Sequence, residues 1–203
     1  MKILKKSVLV LLSFLILFLV GTFIFHRLSL EKEQASLIPM GQQVLVNGRK
    51  INVYVEGDGP ETIVFLSGAG IASPILDFKN LTDSLSKKYN IVVVERAGYG
   101  YSEDNNQSRD VMEVLSETRQ ALSQANITGP FIIISHSLAS LESLAWQEKA
   151  PNEVKALVGL DWALPSSYED LKDNQALLSV AYWSSKIGLL RYFPESFYIK
   201  NPT

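Results

Sequence analysis

Hydrophobic and polar positions divide the chain into one long apolar block followed by a series of short ones. Ser7 to Phe25 (SVLVLLSFLILFLVGTFIF) carries no charge over 19 residues, close to the roughly 20 that take a helix across a bilayer. A secretory h-region runs about 7 to 15 residues and ends in small residues suited to cleavage. This block is longer and ends in Phe23-Ile24-Phe25-His26-Arg27, so residues 7–26 are expected to form an uncleaved transmembrane anchor, with His26 at the interface. Lys2, Lys5 and Lys6 precede it, and Glu31, Lys32 and Glu33 follow. The positive flank predicts a cytoplasmic N-terminus over residues 1–6 and a globular part outside the cytoplasm, held at the cell membrane. Glu31 to Gly41 is polar and aperiodic, so residues 27–41 read as a juxtamembrane linker.

The short blocks alternate between two periods. Val44-Leu45-Val46 and Lys50-Ile51-Asn52-Val53-Tyr54-Val55 flank Asn47-Gly48, the strongest two-residue hairpin signal. Gly57-Asp58-Gly59-Pro60 interrupts, and Thr62 to Leu66 is a buried-type strand. Ser73-Pro74 predicts a helix start; Phe78, Leu81 and Leu85 mark one face, with Lys87 and Lys88 in its last turn. Ile91 to Val94 is the next strand. Val111, Leu115, Thr118 and Leu122 line a helix ending near Ala125-Asn126. Phe131 to Ile134, bounded by Gly129-Pro130, reads as a strand buried on both faces, and Leu138, Leu141, Leu144 and Ala145 as a helix stopped by Pro151. Val154 to Leu160 is a last strand ending at Asp161. A hairpin followed by strand and helix through three crossovers predicts the α/β class, a mostly parallel sheet with helices on both faces.

Composition narrows the chemistry. The chain has 203 residues and a net charge of −2, enough for one domain and without the basic stripe of a nucleic-acid binder. It has no cysteine and two histidines, His26 and His136. Disulfides, thiolate catalysis and Cys-ligated zinc are therefore excluded, and a multi-histidine metal site is out of reach. No cofactor is implied.

What remains is an alcohol. Ser135-His136-Ser137-Leu138-Ala139 joins a strand to a helix by a very short turn, which forces Ser137 into a strained conformation and demands small residues two before and two after it. Ser135 and Ala139 meet that demand, although the motif is usually stated with glycine at both places. The turn exposes the Ser137 hydroxyl, and the amide of Leu138 points from the helix start toward an oxyanion formed on an attacked carbonyl. A buried strand followed by a Ser-capped helix is the bland alternative. Ser67-Gly68-Ala69-Gly70 follows another buried strand; its two glycines permit a sharp turn with exposed amides, of which Ala69 would supply the second oxyanion donor. A plain strand-to-helix loop needs glycine as well. Glu95 and Arg96 are adjacent, point to different sides and read as turn-stabilising. His136 neighbours Ser137 within the turn, where its ring is poorly placed to serve as base.

With these residues in view, the chain resembles the α/β-hydrolase fold superfamily from about Gly41 to Pro165. The likeness rests on the Asn47-Gly48 hairpin, the Ser67 to Gly70 loop where relatives often carry His-Gly, Glu95-Arg96-Ala97-Gly98-Tyr99-Gly100-Tyr101-Ser102 beside the family's Asp-Arg-x-Gly-x-Gly-x-Ser, and the Ser135 to Ala139 elbow. It implies a core over 42–165, Ser137 as nucleophile, Ala69 and Leu138 as oxyanion donors, and a site at the carboxyl ends of the strands. The family's acid and histidine follow the serine in chain order. No histidine follows Ser137 here, and Asp161 either completes the triad or ends its strand and bonds a nearby loop. Ser166-x-x-Glu169 is a capping box. With Leu177, Leu178, Ala181, Tyr182, Ile187, Leu189 and Leu190 it suggests a partial helical lid over 166–203. The expectation is a hydrolase truncated in or after its lid, with the strand Val154 to Leu160 left as an apolar unpaired edge. Its substrate would be a small-molecule or lipid-like ester or amide. A non-catalytic, membrane-anchored binding module is the second expectation.

Overall fold

Asn47 and Gly48 both take positive φ, 50° and 76°, as the two central residues of a type I′ turn require. They join β1 (Gln42–Val46) to β2 (Arg49–Glu56), which pair antiparallel with Val46 opposite Arg49. The computed structural model describes residues 2–36, 38–104, 109–163 and 175–193. The chain divides into two units, Pro39–Leu171 on the one hand and Met1–Ile38 with Lys172–Thr203 on the other.

In the first unit, β3 (Thr62–Leu66), β4 (Asn90–Val94), β5 (Phe131–His136) and β6 (Val154–Leu160) complete a sheet of order β1-β2-β4-β3-β5-β6. β4, β3, β5 and β6 run parallel, and β2 meets β4 antiparallel. Alternate residues face opposite layers. Val64, Leu66, Val92, Val94 and Ile133 pack with Leu115, Ala121 and Leu122 of α4 (Val111–Gln124) and Trp146 of α5 (Ala139–Lys149). Ile63, Phe65, Ile91, Val93 and Ile134 pack on the other face with Ile75 and Phe78. Cover on both faces is why these strands read as continuous apolar runs.

The helix expected after Ser73 is two. α2 (Pro74–Asp77) and α3 (Lys79–Leu85) meet at Phe78, whose backbone stays in the right-handed helical region at φ −88°, ψ −1° while the helical hydrogen bonding is interrupted. The bend sets the Phe78 ring against Phe65, centroids 5.0 Å apart, and turns Leu81 to solvent. Lys87 and Lys88 lie beyond the helix end, and the Ser73 side chain makes no cap hydrogen bond. β6 is the sheet's margin among the described residues, with Val158 exposed, the apolar edge that the sequence predicts.

In the second unit, α1 (Lys2–Ser36) is one helix of 35 residues. Residues 27–36, read from sequence as part of the linker, continue it. Leu28, Leu30, Glu31, Lys32 and Glu33 are good helix formers, and extending an existing helix avoids the cost of a new nucleus. The segment Lys5–Glu33 is long and apolar enough to cross a membrane. α6 (Gln175–Lys186) is followed by a 3-10 turn over Leu189–Tyr192. The Ser166 to Glu169 capping box and the side chains of Leu177 and Leu178 lie outside the described residues.

Candidate active site

β5 ends at His136 and α5 begins at Ala139, so Ser137 and Leu138 alone reverse the chain. Ser137 sits at φ 51°, a left-handed conformation that costs a residue with a β-carbon roughly 1–2 kcal/mol. Backbone hydrogen bonds hold it there. Its N–H donates to the Leu160 carbonyl at 3.1 Å, and its own carbonyl accepts from Ser140 N–H at 3.0 Å and Ala163 N–H at 3.2 Å. The side chain is half-buried, and its hydroxyl has no hydrogen-bond partner among the described residues.

The flanking small residues behave differently from each other. Ala139 is fully buried. Ser135 is buried too, and its hydroxyl is absorbed in a chain of polar contacts. Trp162 Nε1 donates to Ser135 Oγ at 2.8 Å and to its carbonyl at 3.0 Å; Ser135 Oγ lies 2.9 Å from Ser143 Oγ, which donates to the Ser140 carbonyl at 2.9 Å. Protons therefore run in one direction, from Trp162 through Ser135 to Ser143. A buried hydroxyl costs free energy unless paired, and here each partner is supplied.

The Ser67 to Gly70 loop lies against this elbow. A β-carbon on Gly68 would come within 2.9 Å of Ser137 Cβ and 3.1 Å of His136 Nδ1. Only glycine fits that approach. Gly70 N–H donates to the Tyr99 hydroxyl at 3.2 Å. The amides of Ala69 and Leu138 have no acceptor among the described residues. Both residues line a cavity of about 280 Å³ together with Arg96, Tyr99, Val114 and Leu141. β4 and β5 flank β3 on opposite sides, so both loops leave the sheet where the strand order reverses, the usual place for a ligand in an open α/β sheet.

Glu95 and Arg96 part company as expected. Glu95 is fully buried, accepting from Tyr101 N–H at 2.8 Å and Asn52 Nδ2 at 3.1 Å, and burial pushes its carboxyl above the ordinary range. Arg96 turns toward α5 and pairs with Glu142 through Nε at 3.1 Å and through Nη2. The other Glu142 oxygen accepts from Thr118 Oγ1 at 2.7 Å. Asp161 is exposed at φ 49°, next to the Leu160 carbonyl that holds Ser137. Its carboxylate has no partner among the described residues.

No family model matches the chain. It is 39% identical over 200 residues to uncharacterized protein YbdG of Bacillus subtilis, covering 97% of this chain and 62% of that protein. It is 25% identical over 168 residues to 2-(acetamidomethylene)succinate hydrolase of Mesorhizobium japonicum, covering 73% of this chain and 58% of that one. Among solved structures, an alpha/beta hydrolase fold protein from Burkholderia ambifaria superposes with a TM-score of 0.58 at 13% identity, over 80% of this chain and 56% of the other. The chain has an α/β-hydrolase fold. It spans roughly three fifths of the length of these two relatives.

Within this hydrolase fold, the structure brings Ser137, Leu138 and the Ala69 loop together, and it sets Asp161 just past the end of the neighbouring strand, with no histidine bonded to it among the described residues. Sequence reading missed Trp162, Ser140 and Ser143. The serines at three-residue spacing on the sheet-facing side of α5 carried a signal, since a core helix face has little reason to be polar unless a partner awaits it.

Proposed function

We propose that this chain is a membrane-anchored hydrolase that acts on an ester or amide through Ser137. The observation that carries the reading is a strained, half-buried Ser137 packed against the Gly68 loop, beside a cavity lined by Ala69 and Leu138, whose amides have no acceptor among the described residues. In this chemistry Ser137 Oγ adds to the carbonyl carbon and gives its proton to a base. The carbonyl oxygen takes the negative charge and accepts hydrogen bonds from the two amides. Collapse breaks the bond to the alcohol or amine, which leaves with a proton, and water then releases the acid. A relative named as a hydrolase of 2-(acetamidomethylene)succinate supports amide or ester substrates. The cavity, walled by Val111, Val114, Leu138 and Leu141, suits a short acyl group.

The base is the open element of the reading. The 203 residues hold no histidine after Ser137, and His136 is its immediate neighbour; Asp161 is proposed as the acid that would orient an imidazole. Residues 7–26 are proposed as the anchor, with residues 1–6 in the cytoplasm and the core of 42–165 outside; apolar side chains exposed between Val8 and Leu28, such as Leu9, Leu11, Phe14 and Leu17, support the anchor. The helical extension over 27–36 and the residues after it up to 41 are proposed as the connection, and 166–203 as part of a lid.

The test is chemical rescue. A fluorophosphonate should label Ser137 slowly and faster with added imidazole, while Ser137→Ala takes up no label; adduct mass on the Ser137 peptide reads this out. Labelling absent at every imidazole concentration would remove the catalytic reading and leave a membrane-anchored binding module.

A further inference from the structure

The 3-10 turn after α6 is fastened to the far end of α1. Arg191 donates from Nε to His26 Nδ1 at 2.8 Å and grips Glu33 with both terminal nitrogens, at 2.8 and 2.9 Å. One residue on, Tyr192 meets the ring of Phe18, centroids 5.9 Å apart. Phe18 lies inside the uncharged stretch, seven residues before its end at Phe25, which at 1.5 Å per residue is roughly 10 Å along the helix. A side chain touching Phe18 therefore reaches about 10 Å below the end of the uncharged stretch, the greatest depth to which the apolar face of an interfacial helix is buried.

The rest of this element is unusually apolar for a surface. Val180, Tyr182 and Trp183 on α6 are 64, 54 and 63% exposed, and Tyr192 is 56% exposed. Tyrosine and tryptophan concentrate where one end of the ring is wet and the other is in lipid. Lys186 sits 5.5 Å from the Tyr182 ring centre, long enough to reach back to water while its stem follows the apolar surface.

We infer that residues 175–193 are a membrane-surface element that lies in the phospholipid leaflet beside α1, docked on that helix by Arg191 and Tyr192. The inference rests on the anchor reading above, because the exposed aromatics continue the lipid-facing surface of α1. The occupant is phospholipid. A patch that is apolar, aromatic and contiguous with a bilayer-spanning helix meets lipid before it meets any other partner.

The natural absence of cysteine makes the test direct. Single Leu17→Cys, Val180→Cys and Trp183→Cys variants of the full chain, with Ser84→Cys as the reference in water, are spin-labelled and reconstituted in phosphatidylcholine vesicles. The oxygen-to-nickel-chelate accessibility ratio reads depth. It is expected to be highest at Leu17, and at Val180 and Trp183 to exceed the Ser84 value by roughly threefold or more, as an interfacial depth demands. A lipid-like Leu17 with water-like Val180 and Trp183 overturns the inference and leaves the anchor standing. A water-like Leu17 overturns the anchor, and the inference with it.

Discussion

Glu142→Leu is the sharpest test of how the candidate site is held. Glu142 joins α5, which carries the elbow, to Arg96 on the loop after β4 and to Thr118 on α4. Its side chain is 3% exposed and that of Arg96 14%. Two unit charges about 4 Å apart attract by about 4 kcal/mol at an effective dielectric near 20, but desolvation of both ions offsets much of that. The larger effect of the substitution is what it leaves behind, an uncompensated guanidinium and an unpaired Thr118 hydroxyl. Removing one partner of a buried pair costs about 3–5 kcal/mol, and the partial exposure of Arg96 points to the lower end. We expect a loss of about 3 kcal/mol, which for a chain of this size lowers Tm by about 6–12 °C. Arg96→Met combined with Glu142→Leu removes both charges but leaves the Thr118 hydroxyl unpaired, and should return to within about 1–2 kcal/mol of the parent. Urea and thermal unfolding in detergent, followed by near-ultraviolet dichroism, would measure all four members of the cycle. A Glu142→Leu cost under about 1 kcal/mol, or a double variant as unstable as the sum of the singles, would refute the account.

Gly68→Ala should crowd Ser137 and His136, shift the loop that carries Ala69, and slow fluorophosphonate labelling of Ser137 about 100-fold, for about 1–3 kcal/mol of stability; an unchanged labelling rate would detach that loop from the reaction. Glu95→Gln addresses pH. Burial raises the carboxyl in the folded state, so the fold keeps its proton longer than the unfolded chain does, and the stability that depends on the proton is full below the ordinary carboxylate pKa and lost as pH rises through the folded value. Glutamine keeps an acceptor for Tyr101 and carries no charge, so its advantage over the parent should grow from about pH 4 to neutrality; a pH-independent difference in urea midpoints would contradict this.

Much of this architecture was legible because local and global signals agree. Asn47-Gly48 forces one kind of hairpin, and uninterrupted runs such as Ile91-Val92-Val93-Val94 are affordable only in strands covered on both faces. The elbow was legible because a turn of two residues leaves Ser137 few conformations. What escaped was tertiary. Nothing in Phe78 announces that two helices will meet there with its ring against Phe65, and nothing local to Glu31 or Glu33 tells a solvated linker from a helix that continues. Asp161 was visible as the acid after β6, yet its neighbourhood depends on which groups arrive from elsewhere. Trp162 escaped because its importance lies in where its indole N–H goes, 27 residues back along the chain.

That last contact gives the bend at Ser137 an unusual origin. A reversal built on glycine is tight by default, whatever surrounds it. Here a hydroxymethyl group occupies the inner corner, and the corner closes because an indole two positions past β6 and a serine one helical turn away satisfy that oxygen. The curvature at Ser137 is thus maintained remotely, and drift at position 162 would be felt at position 137 without any change in the residues beside it.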